Sequence, residues 1–100
     1  MDLQKVYAGR RGREVEVKVG EDTLNPRLDL ANHSPTGFNW GYNGSGPAQL
    51  ALAILADYLG DDEKALALYQ SFKRHKIAVL VENEWLITGQ EIESILQEFD

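Results

Sequence analysis

GSGPAQLALAILADYLG, Gly44 to Gly60, is the stretch on which the fold turns. From Pro47 to about Leu59 it reads as one helix. Leu50, Ala51, Ile54, Leu55 and Tyr58 share a face, and Leu52, Ala53 and Ala56 make the remaining faces apolar too. A helix apolar all round is wrapped by the rest of its domain rather than laid on its surface. Pro47 is tolerated in the first turn, where its missing N–H would have no intrahelical partner. Gly46 or Ser45 is the expected N-cap, and Gly60 takes the left-handed closing position.

Working outward toward the C-terminus, Asp61 or Asp62 caps a second helix through at least Lys73, with a continuation toward Leu80 open. Ala65, Leu68, Tyr69 and Phe72 form its apolar face. Glu84 to Ile87 reads as a strand. Thr88 and Glu91, three apart, make a capping box for a last helix whose stripe is Ile92, Ile95, Leu96 and Phe99.

Toward the N-terminus, Val15, Val17 and Val19 alternate with Glu14, Glu16 and Lys18, the period of a half-buried strand. Gln4 to Ala8 is expected to be its partner, with Gly9-Arg10-Arg11-Gly12 as the hairpin turn. A further turn at Gly20-Glu21-Asp22 leads to a short extended piece around Thr23-Leu24, which Asn25-Pro26 ends. The expected fold is therefore α+β: a small antiparallel sheet, made of an N-terminal hairpin and a late strand, packed on about three helices. One of these is central and apolar. The 100 residues are expected to form a single domain, 1–100, and a chain of this length buries roughly 65% of its unfolded surface.

Composition narrows the function classes. There is no cysteine, so disulfides, thiol catalysis and cysteine zinc sites are excluded. The two histidines, His33 and His75, form no metal-ligand pattern, and no metal or other cofactor is expected. Met1 to Lys5 offers no apolar signal region, and Leu50 to Ala56 is too short to span a bilayer. The cytoplasm is the expected compartment, with no membrane partner. The net charge of −6 argues against non-specific binding to nucleic acid, although the bases Arg10, Arg11 and Arg13 cluster early.

The charge map has one large gap. From Leu30 to Ala56 there is no Asp, Glu, Lys or Arg. The first half of that gap, Asn32 to Gln49, is rich in glycine, aromatics and neutral hydrogen-bonding side chains. Gly44-Ser45-Gly46 before a helix start offers backbone N–H groups to an anion, though no lysine follows as in a phosphate-binding loop. The alternative is that Gly46 and Pro47 only shape the beginning of a buried helix. Phe38, Trp40 and Tyr42 alternate and could stack on a base or pin the loop to the sheet; packed Phe38 and Trp40 could also hold an exposed Tyr42. His33, Ser34, Asn43 and Gln49 suit hydrogen bonds to a ligand or to the main chain. Asp29 could orient His33, but a hydrolytic triad is disfavoured, and no catalytic residue is expected. Any phosphate would need a cation from elsewhere, with Arg10, Arg11, Arg13 and Arg27 as candidates. The expected ligand-binding set is Arg10, His33, Ser34, Trp40, Tyr42, Asn43, Gly44, Ser45, Gly46 and Gln49.

Asn32-His33-Ser34-Pro35, Gly37-Phe38, Trp40-Gly41-Tyr42 and Gly44-Ser45-Gly46-Pro47-Ala48-Gln49-Leu50 together resemble the signature of an uncharacterised bacterial, archaeal and phage family, the domain of unknown function 6166. Val6-Tyr7-Ala8-Gly9-Arg10 and Trp85-Leu86-Ile87-Thr88 extend the resemblance over nearly the whole chain. Asn39 and Asn43 stand where an acid and a glycine are more usual. The resemblance implies a small protein, often from phages or mobile elements, and no particular activity. In that setting the expected function is a non-catalytic binder of a nucleotide-like, phosphate-containing molecule, acting as a phage-encoded sponge for a host defence signal. The alternative is a protein-interaction domain that inhibits a host protein through its acidic surface. A homo-oligomer is also expected, because one sheet and three helices leave little to cover so apolar a helix.

Overall fold

The computed structural model describes residues 1–99. Strands β1 (Val6–Arg11), β2 (Val15–Val19), β3 (Asp22–Thr23) and β4 (Glu84–Thr88) form one antiparallel sheet in the order β3-β2-β1-β4. Helices α1 (Ser45–Leu59), α2 (Asp62–Phe72) and α3 (Gly89–Gln97) complete the α+β architecture, with the hairpin at the N-terminus and the late strand beside it.

Burial alternates along the strands and shows which side the core occupies. Tyr7, Gly9, Val17, Trp85 and Ile87 are buried. Val6, Arg10, Glu16, Lys18, Glu84 and Leu86 are exposed, and the registers Gly9↔Val17 and Gly9↔Trp85 place them together on the opposite face. The sheet therefore has a core face and an open face.

Helix α1 is the centre of the core. Every residue from Gly46 to Ala56 is buried, as is Tyr58, and Leu50, Leu52, Ile54 and Leu55 expose nothing. Each such side chain contributes about 1.5–3 kcal/mol by leaving water. The helix packs on α2, and Leu24 and Trp40 of the long connection join the same core. Its apolar surface is thus covered within one chain. It closes at Gly60 (φ 62°), whose N–H donates to the Ala56 carbonyl at 3.1 Å.

Capping places the other helices. The Asp61 carboxylate accepts from the Lys64 N–H at 3.1 Å, and Asp62 and Glu63 lie in the first turn, where the helix dipole favours acids. Thr88 Oγ1 accepts from the Glu91 N–H at 3.1 Å. The Glu91 carboxylate pairs with Lys76.

Three boundaries differ from the sequence expectation. The hairpin turn is Gly12-Arg13-Glu14, and β1 runs straight through Gly9, Arg10 and Arg11. Gly9 is a strand residue that makes room for an indole: a Cβ there would lie 2.3 Å from Trp85 Cε2. Helix α1 begins at Ser45 with Gly44 as its N-cap, so Pro47 is still within the first turn, where a proline has no bond to lose. Regular α2 ends at Phe72 and widens into a π-helical turn, Lys73–Ile77, which stops short of Leu80.

Candidate functional site

Gln49 organises the uncharged segment. It is fully buried on α1, and both ends of its amide are used by the long connection. Oε1 accepts from the N–H groups of His33 (2.8 Å) and Ser34 (3.1 Å). Nε2 donates to the carbonyls of Pro26 (2.6 Å) and Ala31 (3.0 Å). A connection lying against a buried helix must satisfy its inward-facing backbone, and one glutamine does so here at four points. Position 49 itself calls for an uncharged side chain, because a carboxylate or ammonium buried there would go unpaired.

Its neighbours are similarly engaged. The His33 ring nitrogen Nε2 lies 2.7 Å from the Tyr69 hydroxyl. Ser34 Oγ donates to the Gly37 carbonyl at 2.6 Å, closing a local turn. Trp40 is buried, donates its indole N–H to the Glu82 carbonyl at 2.8 Å, and stands edge-on to Trp85 with ring centres 5.4 Å apart. Phe38 is half-buried against the core, whereas Tyr42 is 48% exposed. The aromatic triplet therefore has two packed rings and one free one.

The glycine turn is close-packed. A Cβ at Gly46 would lie 2.8 Å from that of Asn39, and one at Gly44 would lie 2.4 Å from the Tyr42 ring. Gly46 is buried, while Asn43 and Ser45 are exposed beside it. The N-terminus of α1 has no side-chain cap and no acid in its first turn. Of the ten residues expected to bind a ligand, Tyr42, Asn43 and Ser45 present free side chains at this end of the molecule. Trp40 and Gln49 are occupied within the protein, and His33 and Ser34 each have an internal partner.

The four candidate arginines separate. Arg10 and Arg11, neighbours on a strand, point to opposite faces. Arg11 turns inward: Nη1 donates to Asn39 Oδ1 (2.6 Å) and to the Trp40 carbonyl (3.2 Å), and the guanidinium lies 4.8 Å from the Trp40 ring centre. Arg13 lies exposed in the hairpin turn. Arg27, with φ 55°, is gripped by Asp29 (3.1 Å) and Asp62 (2.9 Å). Its hydrogen bonds hold the Asp29 carboxyl below its ordinary range. Asp29 thus faces Arg27, and the partner of His33 is Tyr69.

Arg10 alone of the expected set lies on the open face of the sheet. There the strands line a shallow concavity of about 720 Å³. Ala8 and Gly9 form its floor; Arg10, Lys18, Glu84 and Leu86 rise around it. Two cross-strand rows cross this face, Glu16–Arg10–Glu84 and Lys18–Ala8–Leu86. Glu16 lies 3.8 Å from Arg10 and 3.4 Å from Lys18, so one carboxylate is shared by two cations. Lys18, Glu84 and Leu86 were not among the residues expected at a site. The alternation of β2 already turned Lys18 outward. Leu86, inside the apolar run Trp85-Leu86-Ile87, gives no sign in sequence of being 67% exposed.

At the other end of the neutral stretch, Asp57 accepts the Tyr7 hydroxyl at 2.6 Å and pairs with Lys5 at 2.9 Å. Burial, then the bond to Asp57, pushes the Tyr7 phenol far above its usual range. Tyr58 donates to Glu93 at 2.8 Å and, through burial and that bond, is raised to about 12. Among the described residues no three His, Asp or Glu side chains gather as metal ligands, and no helix is long and apolar enough to cross a membrane.

A family of unknown function (DUF6166) matches the chain over residues 7–98, and the chain belongs to it. No curated protein and no solved structure matches.

Proposed function

We propose that this member of the DUF6166 family is a non-catalytic binding module for a nucleotide-like, phosphate-containing molecule, held on the open face of the sheet. The observation that carries the reading is the concavity of about 720 Å³ with Arg10 and Lys18 side by side over an apolar floor. That volume is in the range of small-molecule sites, about 300–1,000 Å³. A phosphate would take the place of the Glu16 carboxylate between the two cations, and the planar part of the ligand would lie across Ala8 and Leu86. An arginine fork and a lysine are the usual phosphate partners in proteins. Tyr42, Asn43 and Ser45, at the uncapped end of α1, are the other place where free aromatic and polar groups meet. The concavity is preferred because it supplies cations, and the end of α1 brings no free arginine or lysine from the expected set.

The biological role that suits such a module is sequestration. A small protein that binds a signalling nucleotide without altering it removes the signal stoichiometrically. If the chain is encoded by a phage, the signal is a host defence messenger and the compartment is the host cytoplasm.

Thermal shift and calorimetry against a panel of linear and cyclic nucleotides test the reading. At least one ligand is expected to raise the melting temperature and to be recovered unchanged. The double variant Arg10→Ala, Lys18→Ala is expected to abolish the shift, and Ser45→Ala to leave it in place. A flat response over the whole panel, or binding that survives the double variant, overturns the proposal. Salt-sensitive capture of a single host protein without nucleotide binding would instead favour the protein-inhibitor reading.

A further inference from the structure

The two edges of the sheet are unlike. Strand β3 is two residues long; Leu24 adds one more backbone bond to Val17, and Asn25 and Pro26 then end the edge. Shortness and proline are both ways in which edges are made unattractive to other strands. Strand β4, the opposite edge, has five residues, no proline and no lysine, and carries Leu86 at 67% exposure.

The hydrogen-bond phase of β4 is fixed by its partner. Gly89 donates to the Lys5 carbonyl at 2.7 Å and Arg11 donates to the Asn83 carbonyl at 2.8 Å. With Val6↔Thr88 and Arg10↔Glu84 in register, the odd-numbered positions of β4 face β1. The N–H and C=O groups of Glu84 and Leu86, and the N–H of Thr88, therefore turn to the free edge. Among the described residues, no backbone hydrogen bond outside the sheet engages Glu84 or Leu86.

We infer that this edge is where a second copy of the chain docks, β4 against β4 in antiparallel fashion about a two-fold axis through Leu86. In that register each Leu86 N–H donates to the Leu86 carbonyl of the other copy, and each Thr88 N–H to the opposing Glu84 carbonyl. All five positions of the strand are paired: Glu84 with Thr88, Trp85 with Ile87, Leu86 with its own counterpart. The two exposed leucines cover one another, and no like charges meet. Sliding the strands by one bonding position leaves part of the strand unpaired, and by two pairs a single position, Glu84 with Glu84 in one direction or Thr88 with Thr88 in the other. This register pairs the whole of β4 with its own inverted copy without opposing its acids, which is the self-complementarity a two-fold interface requires. The pairing also joins the two open sheet faces into one continuous surface. The inference does not rest on what those faces bind, and Leu86 belongs both to the axis and to the rim of the concavity.

Light scattering at tens of micromolar tests this on the full chain. Wild type is expected at twice the chain mass of 11.2 kDa. Leu86→Lys and Leu86→Glu, each placing like charges across the axis, are expected at the single-chain mass, with circular dichroism of the wild-type form. Mixing the two variants in equal amounts is expected to restore the dimer, because Lys then faces Glu. A monomeric wild type overturns the inference, and so does a dimer that persists in both variants. Failure of the mixture to reassociate also overturns it. Capture of an added strand-forming peptide by a monomeric wild type would assign the edge to a foreign strand instead.

Discussion

The segment Asn32–Gln49 and the strand β4 present opposite relations between sequence and surface. The segment has the composition of a ligand site: aromatic, glycine-rich, full of neutral donors and acceptors. Yet its polar groups are largely turned on the protein itself, through Gln49, Tyr69, Gly37 and Glu82. The strand, Glu84-Trp85-Leu86-Ile87-Thr88, has the composition of an ordinary buried one, yet it carries an open edge and a largely exposed leucine. A polar side chain near the core is recruited first to satisfy backbone groups that water cannot reach. Unpaired backbone and exposed apolar surface are left where the fold runs out of layers.

The sharpest way to break this comparison is Gln49→Ala. It strands the N–H groups of His33 and Ser34 and the carbonyls of Pro26 and Ala31. The four backbone groups are half-buried, so water recovers part of what each loses, and a total loss of about 3–5 kcal/mol is expected by chemical denaturation. A loss under about 1 kcal/mol would mean that the clamp is not structural.

Gly9→Ala comes next. Its methyl would enter the Trp85 ring, and a cost of about 1–3 kcal/mol is expected, with a change in tryptophan emission. If Gly9 were a turn residue, the emission would not respond.

Alkaline pH gives a smaller and graded effect. Tyr7 and Tyr58 both titrate higher in the folded chain than the ordinary tyrosine value of 10.0. A raised pKa means that the folded state holds the proton more tightly. The stability this provides is whole below pH 10 and, for Tyr58, is lost as pH climbs toward about 12. The contribution of Tyr58 to thermal melts is expected to hold level from pH 8 to about 10 and to fall from there toward 12, and that fall should flatten in Tyr58→Phe.

The smallest effects belong to the exposed residues. Ser45→Ala and Leu86→Lys are each expected within about 0.5 kcal/mol of wild type when measured at dilutions that keep the chain monomeric.

Much of the fold was legible because local chemistry and tertiary contacts agreed. The alternation at Val15–Val19, the Asp61 and Thr88 caps and the left-handed Gly60 all stand where the residues demanded. Gly9 was not legible, because the reason for it is Trp85, far away in the sequence. That misplaced turn also hid the separation of Arg10 from Arg11, since a strand sends neighbours to opposite faces and a turn does not. Gln49 suits a ligand or the main chain by its residue type alone: a buried amide serves either, and only the path of the chain from Pro26 to Ser34 shows that its four bonds go to backbone groups. The open edge of β4 was invisible, because strand order is not written in the strand itself.

Amide hydrogen exchange, followed residue by residue at two protein concentrations, bears most directly on the contrast. The account requires the His33 and Ser34 amides to exchange as slowly as those of α1 at both concentrations, and the Leu86 amide to gain protection as concentration rises. Rapid exchange at His33 and Ser34, together with a Leu86 amide indifferent to concentration, would contradict it.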